Sequence, residues 1–88
     1  MARTRVRPLK RRIRDASLQN GLITAFPRME FRIYAYRIDG MSYVRLKAVD
    51  SRNAARLLFV RDISDLELYG SQAGYDLLVS QLWLVNPP

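Results

Sequence analysis

Arg32, Tyr34 and Tyr36 alternate along one short segment, and Tyr43, Arg45 and Lys47 alternate along the next. Aromatic rings that accept stacked bases, with cations beside them for phosphates, let sheet surfaces hold single-stranded DNA or RNA at ~1–3 kcal/mol per stacked base. Tyrosine is also a good strand former, so such a face can exist without a ligand. A second group of cations fills the N-terminus: Arg3, Arg5, Arg7, Lys10, Arg11, Arg12 and Arg14, with no acidic residue before Asp15. Six of these seven are Arg, whose planar fork contacts phosphate through two parallel hydrogen bonds, a property that a merely solubilising tail does not need. Arg52 and Arg56 lie four residues apart, with Arg61 further on, and would extend a phosphate track along one face of a helix.

Other chemistries are poorly served. The chain has no cysteine and no histidine, which removes disulfides, thiol nucleophiles, thiolate and imidazole metal sites, and the usual neutral-pH general base. Glycine-rich phosphate loops, a Walker lysine and nucleophile–base sets are missing as well. Asp62, Asp65 and Glu67 form the one carboxylate cluster. It could hold Mg²⁺ only if its members converged, and a strand reading of this segment sets Asp65 and Glu67 on a solvent face. The expectation is a protein without catalysis, cofactor or metal.

The elements that must carry these residues fit into 88 positions, 49% of them hydrophobic, with a net charge of +7 and a pI near 10.6. That is an ordinary apolar share for one small domain. The charge is uneven. Residues 1–14 carry all of the excess, 28–61 hold eight basic side chains against Glu30, Asp39 and Asp50, and 62–88 hold four acidic side chains and no base. Self-repulsion should keep the N-terminal arm extended or frayed until a polyanion orders it. The expected organisation is a basic arm with a short helix over 1–20 and a single α+β domain over 21–88. The longest apolar runs, 57–60 and 82–85, have four residues, too few for a membrane span, and no signal-type apolar region follows the basic start. An intracellular or particle-borne location is expected rather than secretion.

Asp39-Gly40 between two alternating runs predicts a β-hairpin of 30–38 with 41–49 around a two-residue type I′ turn. The register set by that turn pairs Phe31 with Ala48, Ile33 with Leu46 and Ala35 with Val44 on a core face. On the other face it pairs Tyr36 with Tyr43, Tyr34 with Arg45 and Arg32 with Lys47. A slip of one residue would mix the two sets. The Arg32/Lys47 juxtaposition of like charges is costly in an empty sheet and would be relieved by an anion. Elsewhere the spacing predicts a thin-striped helix over 9–19 stopped by Asn20-Gly21, and a short edge strand over 22–26 before Pro27. A helix over 51–61, capped by Asp50 or Ser51, is expected to pack on the Phe31/Ile33/Leu46 face. A strand over 63–69 and a flexible loop over 70–74 follow. Residues 76–85 fit either a helix capped by Asp76 or a buried strand, with helix slightly favoured, and Trp83 is read as core.

The fold class expected is thus α+β, a small antiparallel sheet centred on that hairpin with one packed helix and a basic N-terminal arm. The functional expectation is a non-enzymatic nucleic-acid-binding protein, for RNA or single-stranded DNA, in which the arm grips phosphates, Arg32, Arg45 and Lys47 anchor the backbone, and the three tyrosines stack. The alternative is a small protein-interaction module, such as a subunit of a larger assembly or a phage-type inhibitor, whose arm wraps an acidic protein surface; a second copy of the chain is another candidate partner. Binding of a basic 9–19 helix to a membrane surface lacks the Trp or Phe its thin apolar stripe would need.

Overall fold

In the computed structural model, which describes the backbone of residues 5–8 and 13–85 and the side chains of 15–85, the chain runs β1 (Arg5–Pro8), α1 (Ile13–Ala25), β2 (Met29–Ile38), β3 (Met41–Asp50), β4 (Asn53–Ser64), α2 (Asp65–Gly70) and α3 (Gln72–Val85). Asp39 and Gly40 both take positive φ, 49° and 78°, as a type I′ turn requires. The register that follows is the expected one: Phe31 opposite Ala48, Ile33 opposite Leu46, Tyr34 opposite Arg45, Tyr36 opposite Tyr43. Among the described residues the sheet has four antiparallel strands in the order β1-β2-β3-β4. The class is α+β.

The described helices all lie on the Phe31/Ile33/Leu46 side. Leu18 and Leu22 of α1, with Phe26 just beyond it, join Leu68 of α2 and Leu78 and Leu82 of α3 in one buried cluster with Phe31, Ile33, Val44, Leu46, Ala48 and Ile63. The Tyr69 hydroxyl donates to the fully buried Asp15 carboxylate, tying α1 to α2. Among the described residues no helix is long and apolar enough to cross a membrane.

Several expectations need correction. The helix expected over 9–19 runs instead from Ile13 to Ala25; residues 9–12 lie outside the described ones. Asn20-Gly21 does not stop it, because Leu18, Leu22 and Phe26 recur every four residues on the face that docks on the sheet. The 22–26 strand is therefore the end of this helix. Pro27 does act as a punctuator: α1 stops before Phe26, whose N–H still donates to the Leu22 carbonyl at 2.8 Å. The packed helix expected over 51–61 is a turn followed by β4. Asp50 does not cap a helix; its Oδ1 accepts from the Arg52 N–H at 2.9 Å, and Asn53 Oδ1 accepts from the Ala55 N–H at 3.2 Å. The bond from a side-chain oxygen to an N–H two residues on serves an Asx turn as well as an N-cap. Phe59, Arg61 and Ile63 then alternate towards the helices, opposite Ala48, Leu46 and Val44.

The strand expected over 63–69 breaks at Ser64, whose Oγ accepts from the Glu67 N–H at 3.1 Å and caps α2. Ser64-Asp65-Leu66-Glu67 has the spacing of a capping box. The favoured helical reading of 76–85 stands, with the helix starting at Gln72, inside what was expected to be a loop. Trp83 is not core: it is 59% exposed, with its ring 5.2 Å from that of Phe26. The short strand β1, within the arm expected to be extended or frayed, pairs Arg5–Pro8 with Tyr34–Arg37 of β2.

Candidate nucleic-acid interface

Alternation along three strands puts side chains of the sheet's other face into rows. Arg32, Lys47 and Val60 make one, Tyr34, Arg45 and Asp62 the next, Tyr36, Tyr43 and Ser64 the third. The rows are ~6.6 Å apart along the strands. No described helix contributes to the packing of this face, whose tyrosines and cations all lie outside the buried cluster.

The rows differ in what they leave available. Tyr36 is only 6% exposed. Its ring stacks on that of Tyr43 at 5.4 Å and 15°, and the Arg45 guanidinium lies 5.5 Å from its centroid. Tyr36 thus supports the platform, while Tyr34 and Tyr43 keep partial exposure. Arg45 is engaged as well: its Nε donates to Asp62 Oδ1 at 2.8 Å and its Nη2 to Asp62 Oδ2 at 3.1 Å, a bidentate pair. Lys47 Nζ sits 5.7 Å from the centroid of the Tyr34 ring, and Arg32 is exposed, 4.0 Å from Glu30. Arg32 and Lys47 stand opposite each other, as expected, and are the cations of this face best placed to take a new anion.

The Asp62 carboxyl is held below the ordinary carboxylate range, first by the hydrogen bonds from Arg45, against the opposing effect of partial burial, and with help from the Tyr36 hydroxyl. Burial, followed by the neighbouring Asp62 carboxylate, raises Tyr36. A depressed carboxyl stabilises the fold above its unfolded value, ~3.9 for aspartate, and that contribution is lost as pH falls through the folded value. Urea unfolding measured down an acid series should therefore show wild type losing stability more steeply below about pH 4 than Asp62→Asn. Parallel curves would mean that the pair stores no such stability.

The remaining expected site residues are placed as follows. Arg52 and Arg56 are not on a helix face but in the β3–β4 turn and the irregular start of β4, where residues 54–56 have no partners on β3. Arg5 and Arg7 fall in β1 and Arg14 in α1; the side chains of Arg3, Arg5, Arg7, Lys10, Arg11, Arg12 and Arg14 lie outside the described residues. Asp62, Asp65 and Glu67 do not converge. Asp62 belongs to Arg45, while Glu67 accepts from Arg61 Nη2 at 2.9 Å. Among the described residues no group of three such side chains could hold a metal ion. Arg61 points to the helix side, where its Nη1 also donates to Gln81 Oε1 at 2.9 Å, clamping α2 and α3 to the sheet. The roles of Asp62 and Arg61 escaped sequence reasoning because both depend on β4 being a strand. The Phe-Val and Ile β-formers over 59–63 were the available signal.

Comparison of the chain with protein-family models, curated proteins and solved structures finds no match.

Proposed function

We propose that this chain binds single-stranded nucleic acid, without catalysis, through the tyrosine face of its sheet and its Arg-rich N-terminus. The observation that carries the reading is the open face itself, where Tyr34 and Tyr43 offer ring surface beside Arg32 and Lys47 while every described helix packs on the opposite side. Bases stack on Tyr34 and Tyr43, Arg32 and Lys47 take phosphates, and the Arg45–Asp62 pair with Tyr36 fixes the platform between them. The N-terminal cations supply affinity without base selectivity, since phosphate contacts carry no sequence information directly.

The test is fluorescence anisotropy with labelled RNA, single-stranded DNA and duplex DNA. Tyr34→Ala should weaken single-strand binding by roughly tenfold, the loss of one stacked base. A full-length variant with Arg3, Lys10, Arg11 and Arg12 changed to Gln should weaken all ligands alike. Loss in the charge variant alone, with Tyr34→Ala matching wild type, would reject the stacking platform.

A specific observation favours a second reading, binding to another protein. Leu66, Leu77, Trp83 and Leu84 are exposed on the helical side, and Leu57 and Val60 are exposed on β4, which has no strand neighbour on its outer edge among the described residues. Failure of wild type to bind any nucleic acid would move the weight to this surface.

A further inference from the structure

We infer that the cleft between β3 and β4 on the tyrosine face holds a ribose whose 2′-hydroxyl donates to the Asp62 carboxylate, so that the chain takes RNA in preference to single-stranded DNA. The inference rests on the nucleic-acid reading above and names the strand that the face would hold. The cleft, of about 330 Å³, is lined by Arg45, Lys47, Val60, Arg61 and Asp62. Four of these are positions of the open face, since Arg45 pairs with Asp62 and Lys47 with Val60. Arg61 is the exception: its guanidinium is bound to Glu67 and Gln81 on the helical side. At ~30 Å³ per water, the cleft has room for roughly eleven waters, or for a sugar with its phosphate.

Each part of the lining matches one part of a ribonucleotide. Lys47 Nζ lies 5.7 Å from the Tyr34 centroid, so a base stacked on that ring brings its phosphate within reach of the ammonium. Asp62 stands one strand and one row away from Lys47, ~8 Å at ~4.8 Å between strands and ~6.6 Å between rows, a separation that one sugar–phosphate unit spans. Val60, half exposed between them, offers an apolar floor to the carbon skeleton of the sugar. The Asp62 carboxylate repels phosphate and can only accept hydrogen bonds. Arg45 Nε and Nη2 occupy one lone pair on each of its oxygens, and the Tyr36 hydroxyl is a third neighbour. An ionised carboxylate has about four such sites, so capacity remains for one further donor, and the side chain is 41% exposed to receive it. With the base two strands away on Tyr34, the sugar is the part of the nucleotide that lies over the cleft. Donors on base edges change from base to base, whereas the 2′-hydroxyl is carried by every ribonucleotide and by no deoxyribonucleotide.

Binding of the full chain to three oligouridylates of about four nucleotides, with 2′-hydroxyl, 2′-deoxy or 2′-fluoro sugars, tests this. Wild type should bind the ribo-oligomer roughly tenfold more tightly than the deoxy-oligomer, the effect of one hydrogen bond to a charged acceptor. The 2′-fluoro oligomer keeps a ribose-like sugar pucker but cannot donate, and should bind like the deoxy-oligomer. Asp62→Ala should bring the ratio of ribo to deoxy affinity close to one. A residue that served only as scaffold would lower both affinities alike and leave that ratio at its wild-type value. Three results overturn the inference while leaving the tyrosine platform standing: equal binding of ribo- and deoxy-oligomers by wild type, a 2′-fluoro oligomer that binds like the ribo-oligomer, or a wild-type ratio in Asp62→Ala. If wild type bound none of the oligomers, or if Tyr34→Ala bound all of them as well as wild type does, the platform itself would fail and the ribose site with it.

Discussion

Affinity for a single-stranded oligonucleotide should fall by about 10³-fold between 50 and 200 mM monovalent salt if roughly seven phosphates are neutralised, because each releases ~0.7 of a counterion from a single strand. The cations exist for such a count: seven precede Asp15, and Arg32 and Lys47 lie on the open face. Arg45 is omitted because Asp62 already holds it, and Arg61 because Glu67 and Gln81 hold it on the helical side. A titration of log Kd against log salt by anisotropy measures the slope. A slope near +1 or flatter would mean that only about one or two cations meet the ligand, too few for the N-terminal segment and the sheet to share one strand.

Gly74→Ala should cost about 2–3 kcal/mol, although alanine is the better helix former by ~1 kcal/mol. Gly74 is buried in the first turns of α3, where α2 crosses it, and a Cβ there would collide with the Glu67 carbonyl oxygen. The obstacle is main chain, so relief requires the two helices to separate and weakens the packing of Leu68, Leu78 and Leu82 beneath the sheet. For a domain of this length the melting temperature should drop by about 10–20 °C. Gly21→Ala is the control, since its Cβ would meet only the Tyr75 hydroxyl at 3.4 Å, an ordinary contact, and the variant should melt at or slightly above wild type. Equal melting temperatures for Gly74→Ala and wild type in a thermal scan would show that α2 and α3 are not packed this closely.

The hairpin was readable because its information is local. Asp39-Gly40 sets the turn, the turn sets the register, and period-two alternation confirms it over the length of both strands. The tyrosine and cation rows came with it. What failed were segments in which one local signal serves two structures. Asp50 offered the same side-chain acceptor to an N-cap and to an Asx turn, and only the pairing of Phe59, Arg61 and Ile63 with β3 decides between them. Asn20-Gly21 reads as a stop until Leu18, Leu22 and Phe26 find a sheet to cover. The Arg45–Asp62 pair was hidden because its partners are seventeen residues apart and meet only once β4 is in place. It changes the site most, turning an expected phosphate anchor into part of the scaffold. Likewise Tyr36 differs from Tyr34 and Tyr43 by burial alone, which alternation cannot register.

Chemical-shift mapping of the full chain with a short oligouridylate addresses the central claim most directly. Resonances of Arg32, Tyr34, Tyr43 and Lys47 should move in a saturable manner, with ring-current shifts on both tyrosines, while Trp83, Leu77 and Leu84 on the far side stay fixed. Shifts restricted to residues 1–14, or centred on the exposed apolar residues of the helices, would contradict it.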